Sequence, residues 1–107
     1  MISFTRVANY SHSRFVMLHI VKTVSALDDV LRVFRDGDDL LLVEQAVYAA
    51  NPMHRAYRQI QGCDISVLIA DAKARAIDNR IINKATLLDF EGFVELTVKH
   101  SNSTTWE

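Results

Sequence analysis

Cysteine is nearly absent from this chain, Cys63 being the only one. An internal disulfide is therefore excluded, and the composition suits a reducing compartment, which leads us to expect the cytoplasm. Glycine is scarce, at three residues, and proline occurs once, as Pro52. The glycines are scattered, so there is no Gly-rich loop that would let a phosphate approach the backbone. Neither sign of charge dominates, with 12 basic against 13 acidic residues. No basic run stands out, which argues against direct nucleic-acid binding by electrostatics. No apolar run approaches the roughly 20 residues that span a bilayer. The histidines lack metal-ligand spacing, and no G-x-S-x-G elbow sets up a serine nucleophile.

What is present is one domain's worth of chain: 107 residues, half of them apolar. Phe15 to Val21 is apolar and β-branched, as expected of a buried first strand. Ser25 stands three residues before Asp28, like a capping box, and Leu27, Val30, Leu31 and Phe34 follow at helical spacing. Gly37 stops that helix. Leu40-Leu41-Leu42-Val43 predicts a strand covered on both faces, and Glu44 to Ala50 a helical turn. Asn51-Pro52 resembles a cap followed by proline at the first helical position, with Met53, Ala56, Tyr57 and Ile60 as the inward stripe and Gly62 as the stop. Ile65 to Ile69 is expected as a third strand, followed by an alanine-rich helix capped by Asp71 and running through Ile77. Ile81 and Ile82 are expected to tether a loop. Thr86 to Leu88 is expected as a fourth strand, Asp89 as the cap of a last helix reaching about His100, and Ser103 to Trp106 as a short edge strand. The alternation predicts a three-layer α/β/α fold of flavodoxin-like shape, with a mostly parallel sheet of four to five strands. Residues 1–14 are polar, with no strand or helix period and, despite Arg6 and Arg14, no apolar h-region. We expect residues 1–16 to be an extension outside a single domain over residues 17–107.

Ligands of an open parallel sheet bind at the carboxyl ends of the strands. Here that edge carries Glu44, Asp71 and Asp89, whose charges would repel a flavin or nucleotide phosphate. Paired carboxylates could serve acid–base chemistry. Each of these acids precedes a helix, however, where capping free N–H groups accounts for it more simply. Cys63, the only possible thiol nucleophile, opens the third strand and so falls at the amino edge, beside a helix C-terminus that raises a thiol pKa. His19 within a strand is expected as a satisfied buried or half-buried imidazole, His100 as a partner of a helix C-terminus, and His12 and His54 as exposed. Tyr48, Tyr57, Phe93 and Trp106 are core or interface aromatics. No residue is therefore singled out as catalytic, cofactor-binding or metal-binding. Apolar surface left over on a chain without a site favours a subunit role.

Several stretches carry a resemblance to a known family: Met17-Leu18-His19, Gly37-Asp38-Asp39-Leu40-Leu41-Leu42, Val47-Tyr48-Ala49-Ala50 and, most specifically, Asp89, Phe93-Val94, Leu96-Thr97-Val98-Lys99-His100 and Trp106. Residues 51–85 match in hydrophobic pattern only. With these the chain resembles the TusB/DsrH family of small sulfur-relay subunits with a DsrEFH-like fold. The resemblance implies assembly with TusC-like and TusD-like subunits as a dimer of trimers. It also implies relay of persulfide sulfur toward 2-thiouridine at the tRNA wobble position, with the active cysteine on the D-type partner and no cofactor on this chain. The sulfur-oxidising branch has a cysteine in the first helix where this chain has Val30, which favours the tRNA-modifying branch. Gln45-Ala46 departs from the acid and glycine of relatives, and Cys63 matches no family cysteine. Two other readings stay open from the residues alone: a carrier or sulfurtransferase acting through Cys63, and a stand-alone ligand-binding module. An isolated subunit could also self-associate through its partner face.

Overall fold

The computed structural model describes residues 16–107. The expectations for His12, for Phe15 and for nearly all of the N-terminal extension lie outside the described residues. Among these residues five strands form one sheet: β1 (Leu18–Val21), β2 (Asp39–Leu42), β3 (Asp64–Leu68), β4 (Thr86–Leu88) and β5 (Ser103–Trp106). Their order is β4-β3-β2-β1-β5, and every neighbouring pair is parallel, as expected. β2 is flanked by a strand on each side and covered on both faces, so Leu40, Leu41 and Leu42 are all fully buried in an uninterrupted apolar run.

The helices divide unequally between the faces. One face carries α1 (Leu27–Val33), two 3-10 segments (Glu44–Ala50 and Arg55–Ile60) and α2 (Ile69–Ala74). Leu27, Val30, Ala46, Val47, Ala50, Ile60 and Ala72 pack there against Val21, Leu40, Leu42, Ile65 and Val67. The 3-10 period of three eclipses Ala46 on Ala49 and Val47 on Ala50, and all four are buried. The other face has only α3 (Phe90–Lys99), whose Phe93 and Leu96 lie over Leu18, Leu41 and Val43.

Capping differs from expectation in three places, two for local reasons and one for a tertiary reason. Before α1 the chain makes a 3-10 turn, so the group needing an acceptor is the Ala26 N–H, which donates to Thr23 Oγ1 at 3.2 Å; Ser25 only pairs with the Thr23 hydroxyl. Asn51 Oδ1 accepts from the Met53 N–H in an Asx turn, and the following helix starts later, at Arg55, capped by His54 Nδ1 at 3.0 Å from the Ala56 nitrogen. Met53 thereby leaves the inward stripe and is 85 % exposed, while Ala56 and Ile60 are buried as expected. Finally, α2 is shorter than expected and Asp71 lies within its first turn, its carboxylate turned to another segment. By contrast, Asp89 caps α3 as expected, accepting from the Gly92 N–H at 2.7 Å. Ile82 does tether its loop, its N–H donating to the Ala50 carbonyl at 2.9 Å.

α2 ends in a Schellman motif: the Ile77 N–H donates to the Ala72 carbonyl and the Ala76 N–H to the Lys73 carbonyl, both at 3.0 Å. The residue in the left-handed position is Ala76, at φ 58°, where glycine is preferred. Ala76→Gly is expected to stabilise the protein by about 1 kcal/mol, raising the melting temperature by roughly 4–8 °C. A calorimetric melt checks this, and no gain would mean that the motif relaxes without cost.

Candidate functional site

The carboxyl edge of the sheet is built of acids that already have partners. Val43 ends β2 in extended conformation, and Glu44 turns the chain with a φ of 49°. That turn aims the Glu44 N–H at Asp71 Oδ2, 2.6 Å away, so Asp71 caps the 3-10 segment rather than its own helix. The Glu44 carboxylate lies 3.8 Å from Lys22 Nζ, which also reaches Glu107 at 3.7 Å. Arg75 stands 4.0 Å from Asp71 and donates to its carbonyl at 3.2 Å. Asp89 is taken up by its cap. Each of the three acids therefore holds a helix start or a cation.

Cys63 lies at the opposite edge. Gly62, at φ 90°, turns the chain into β3, and Cys63 lines a cleft of about 320 Å³ with Asp39, Asp64, Lys84 and Thr86. Burial pushes the thiol above its ordinary pKa; Lys84 opposes that shift and Asp64 adds to it. Thiolate, the reactive form, is thus suppressed at neutral pH. Among the described residues no group of three or more His, Cys, Asp or Glu side chains is placed to hold a metal ion.

The amino end of β2 holds two couplings that no local sequence signal announced. Asp38 and Asp39 are successive, so their side chains point to opposite faces. Asp38, 2 % exposed, accepts from His19 Nε2 at 3.0 Å and from the backbone N–H groups of Met17 and Arg35, each at 3.0 Å. On the other side of that ring the Trp106 indole donates to His19 Nδ1 at 3.2 Å. An indole N–H can only donate, so the His19 proton is on Nε2 and faces the carboxylate. His19 is thus the satisfied buried imidazole expected, and it ties edge strand β5 and the turn before β2 to β1. On the α3 face, Asp39 Oδ2 lies 3.0 Å from His100 Nε2, while His100 Nδ1 is 3.0 Å from the Leu96 carbonyl. The ring thus lies between the end of the helix and the start of β2. His100 is then the C-terminal partner of α3 that was expected, and it also pins the helix to β2.

The aromatics also find places. Tyr48 stacks on His54 at 6.1 Å, Tyr57 and Trp106 pack against the larger core, and Phe93 packs from α3 onto the smaller one. Val30 is fully buried on the inward side of α1. Among the described residues no helix is long and apolar enough to cross a membrane.

These features locate chemistry but do not by themselves assign it. Residues 22–103 match the family described as DsrH like protein. The chain belongs to the TusB/DsrH family. It is 37 % identical over 95 residues to Protein TusB of Escherichia coli O81 (strain ED1a), an alignment covering 84 % of this chain and 100 % of that protein. It is 36 % identical over 95 residues, with the same coverage, to Protein TusB of Shigella flexneri. The five-stranded parallel sheet fits the DsrEFH-like shape that membership in the TusB/DsrH family implies.

Proposed function

We propose that this chain is a non-catalytic subunit of a cytoplasmic sulfur-relay complex. It would assemble with TusC-like and TusD-like subunits, as a dimer of trimers, to pass persulfide sulfur toward 2-thiouridine at the tRNA wobble position. The observation that carries the reading is the full-length similarity to proteins named TusB, at 37 % identity and complete coverage of those proteins. The non-catalytic part draws its support from Cys63. A sulfur carrier needs an accessible thiolate, whereas this thiol is part-buried, raised in pKa by that burial, and set at the amino edge of the sheet. The acids of the carboxyl edge support it too, since each is committed to structure.

The test is complementation. Deleting the gene is expected to lower wobble 2-thiouridine, and the Cys63→Ser chain is expected to restore it as the wild type does. Loss of 2-thiouridine with the complex still assembled would instead assign the sulfur-carrying role to Cys63.

A further inference from the structure

The crossover from β2 to β3 carries charge of one sign. No acid occurs between Glu44 and Asp64, whereas Arg55 and Arg58 both fall in that stretch. They do not form a run in the sequence; the fold brings them together. A 3-10 segment repeats every three residues with a rise of about 2 Å each, so the two side chains eclipse one another about 6 Å apart. Both are exposed, while Ala56 and Ile60 of the same segment are buried. Arg32 and Arg75 are paired with Asp29 and Asp71. Among the described residues neither the Arg55 nor the Arg58 guanidinium has an ion-pair or hydrogen-bond partner.

The two arginines line an open cleft of about 470 Å³ together with Met53, His54, Tyr57 and Gln61, and among the described residues no carboxylate lines it. The acids of the carboxyl edge, which would repel a phosphate, are therefore elsewhere. His54 contributes a third donor. Its Nδ1 accepts from the Ala56 N–H at 3.0 Å, so its own proton is on Nε2. That cap and the stack with Tyr48 at 6.1 Å hold the ring in place. Met53, 85 % exposed, adds an apolar surface, and half-buried Tyr57 an aromatic one. Both arginines also border a second cleft, of about 510 Å³, where the acid Asp28 already holds the Gln59 amide.

Donors without an opposing acid select an anion. Two guanidinium groups one turn apart, with an imidazole N–H beside them, suit the several oxygens of a phosphate better than the two of a carboxylate. An anionic lipid surface is recognised by larger clusters of four to eight bases. The aromatic and thioether walls fit a flat ring next to the phosphate. We propose that this cleft binds a nucleotide, with its phosphate on Arg55, Arg58 and His54 Nε2 and its base against Tyr57 and Met53. The nucleotide is either free or part of a single RNA strand, and the site stands apart from the subunit reading above.

The experiment titrates the full chain, labelled with nitrogen-15, with adenosine 5′-monophosphate, adenosine, inorganic phosphate and a single-stranded octa-adenylate, and follows the amide resonances. The monophosphate is expected to shift the signals of His54, Arg55, Tyr57 and Arg58. It is expected to bind about tenfold or more tightly than phosphate or adenosine alone, and more weakly as salt rises. The double variant Arg55→Gln, Arg58→Gln is expected to lose about tenfold or more in affinity. Lys73→Gln with Lys99→Gln removes the same charge from two other helices and is expected to change nothing. All these positions are exposed, so both variants are expected to melt near wild type. Octa-adenylate binding more tightly than the monophosphate, with shifts at the same residues, would support the site and assign it to an RNA strand. Equal affinity would support it and assign it to the free nucleotide. No shift with the monophosphate or the octa-adenylate, or an unchanged affinity in the arginine variant, would overturn the proposal. Phosphate binding as tightly as the monophosphate would leave no role for the base and overturn it too.

Discussion

Asp38→Ala is expected to destabilise the protein by about 3–5 kcal/mol, much of what a small domain has. One carboxylate, 2 % exposed, serves three donors: His19 Nε2 and the Met17 and Arg35 N–H groups. Alanine strands all three. The His19 proton has no second acceptor to turn to, because its other nitrogen is held by the Trp106 indole at 3.2 Å. The loss should therefore spread to β5, which joins the sheet only through β1. Urea titration followed by tryptophan fluorescence reads both effects, since Trp106 is the only tryptophan. Asp38→Asn keeps one acceptor and is expected to cost about half as much. A cost near 1 kcal/mol for alanine would mean that water takes over the three donors.

Truncating Leu42 is expected to cost about 4 kcal/mol, and truncating its neighbour Leu41 about 2–3 kcal/mol. Both are fully buried on the central strand β2, so transfer terms alone would make them equal. They face different layers. Leu42 meets the larger core, where Val47, Ala50, Ile60 and Ala72 come from several segments packed on one another. Leu41 meets the smaller cluster under α3, a helix without a buried residue. A helix held mainly by Phe93, Leu96 and the His100–Asp39 pair at 3.0 Å can settle into the space that Leu41 vacates. A collapsed cavity costs less than an open one. Equal denaturation free energies for Leu41→Ala and Leu42→Ala would mean that α3 is held as firmly as the opposite layer.

The elements the sequence revealed are those whose cause is local. Leu40-Leu41-Leu42 reads as a doubly covered strand because Leu40 and Leu42 meet the larger core on one face and Leu41 the cluster under α3 on the other. Thr86 to Leu88, the Asp89 cap and the Ser103–Trp106 edge strand stand where expected. The misread caps have two causes, a donor from far along the chain and a local turn that competes with the cap. Asp71 looks like a cap of its own helix until Glu44, 27 residues earlier, presents its N–H. Met53 fits a helical stripe until the Asx turn at Asn51 delays the helix to Arg55. The couplings at Asp38 and Asp39 were invisible for the first of these reasons: His19 is 19 residues from Asp38, and Trp106 is 87 from His19. Two aspartates before a strand read as turn residues, and only the pleat, sending one to each face, gives them different histidines. The position of Cys63 at the amino edge was legible because Gly62 marks the turn that precedes β3.

A relay subunit without a sulfur-carrying group of its own must tolerate loss of its single thiol. The deciding measurement is the amount of wobble 2-thiouridine, quantified by mass spectrometry of digested tRNA, in cells whose only copy of this chain carries Cys63→Ser. The account predicts the wild-type amount, with the partners still co-purifying. A fall to the level of the deletion strain, while those partners remain bound, would contradict it.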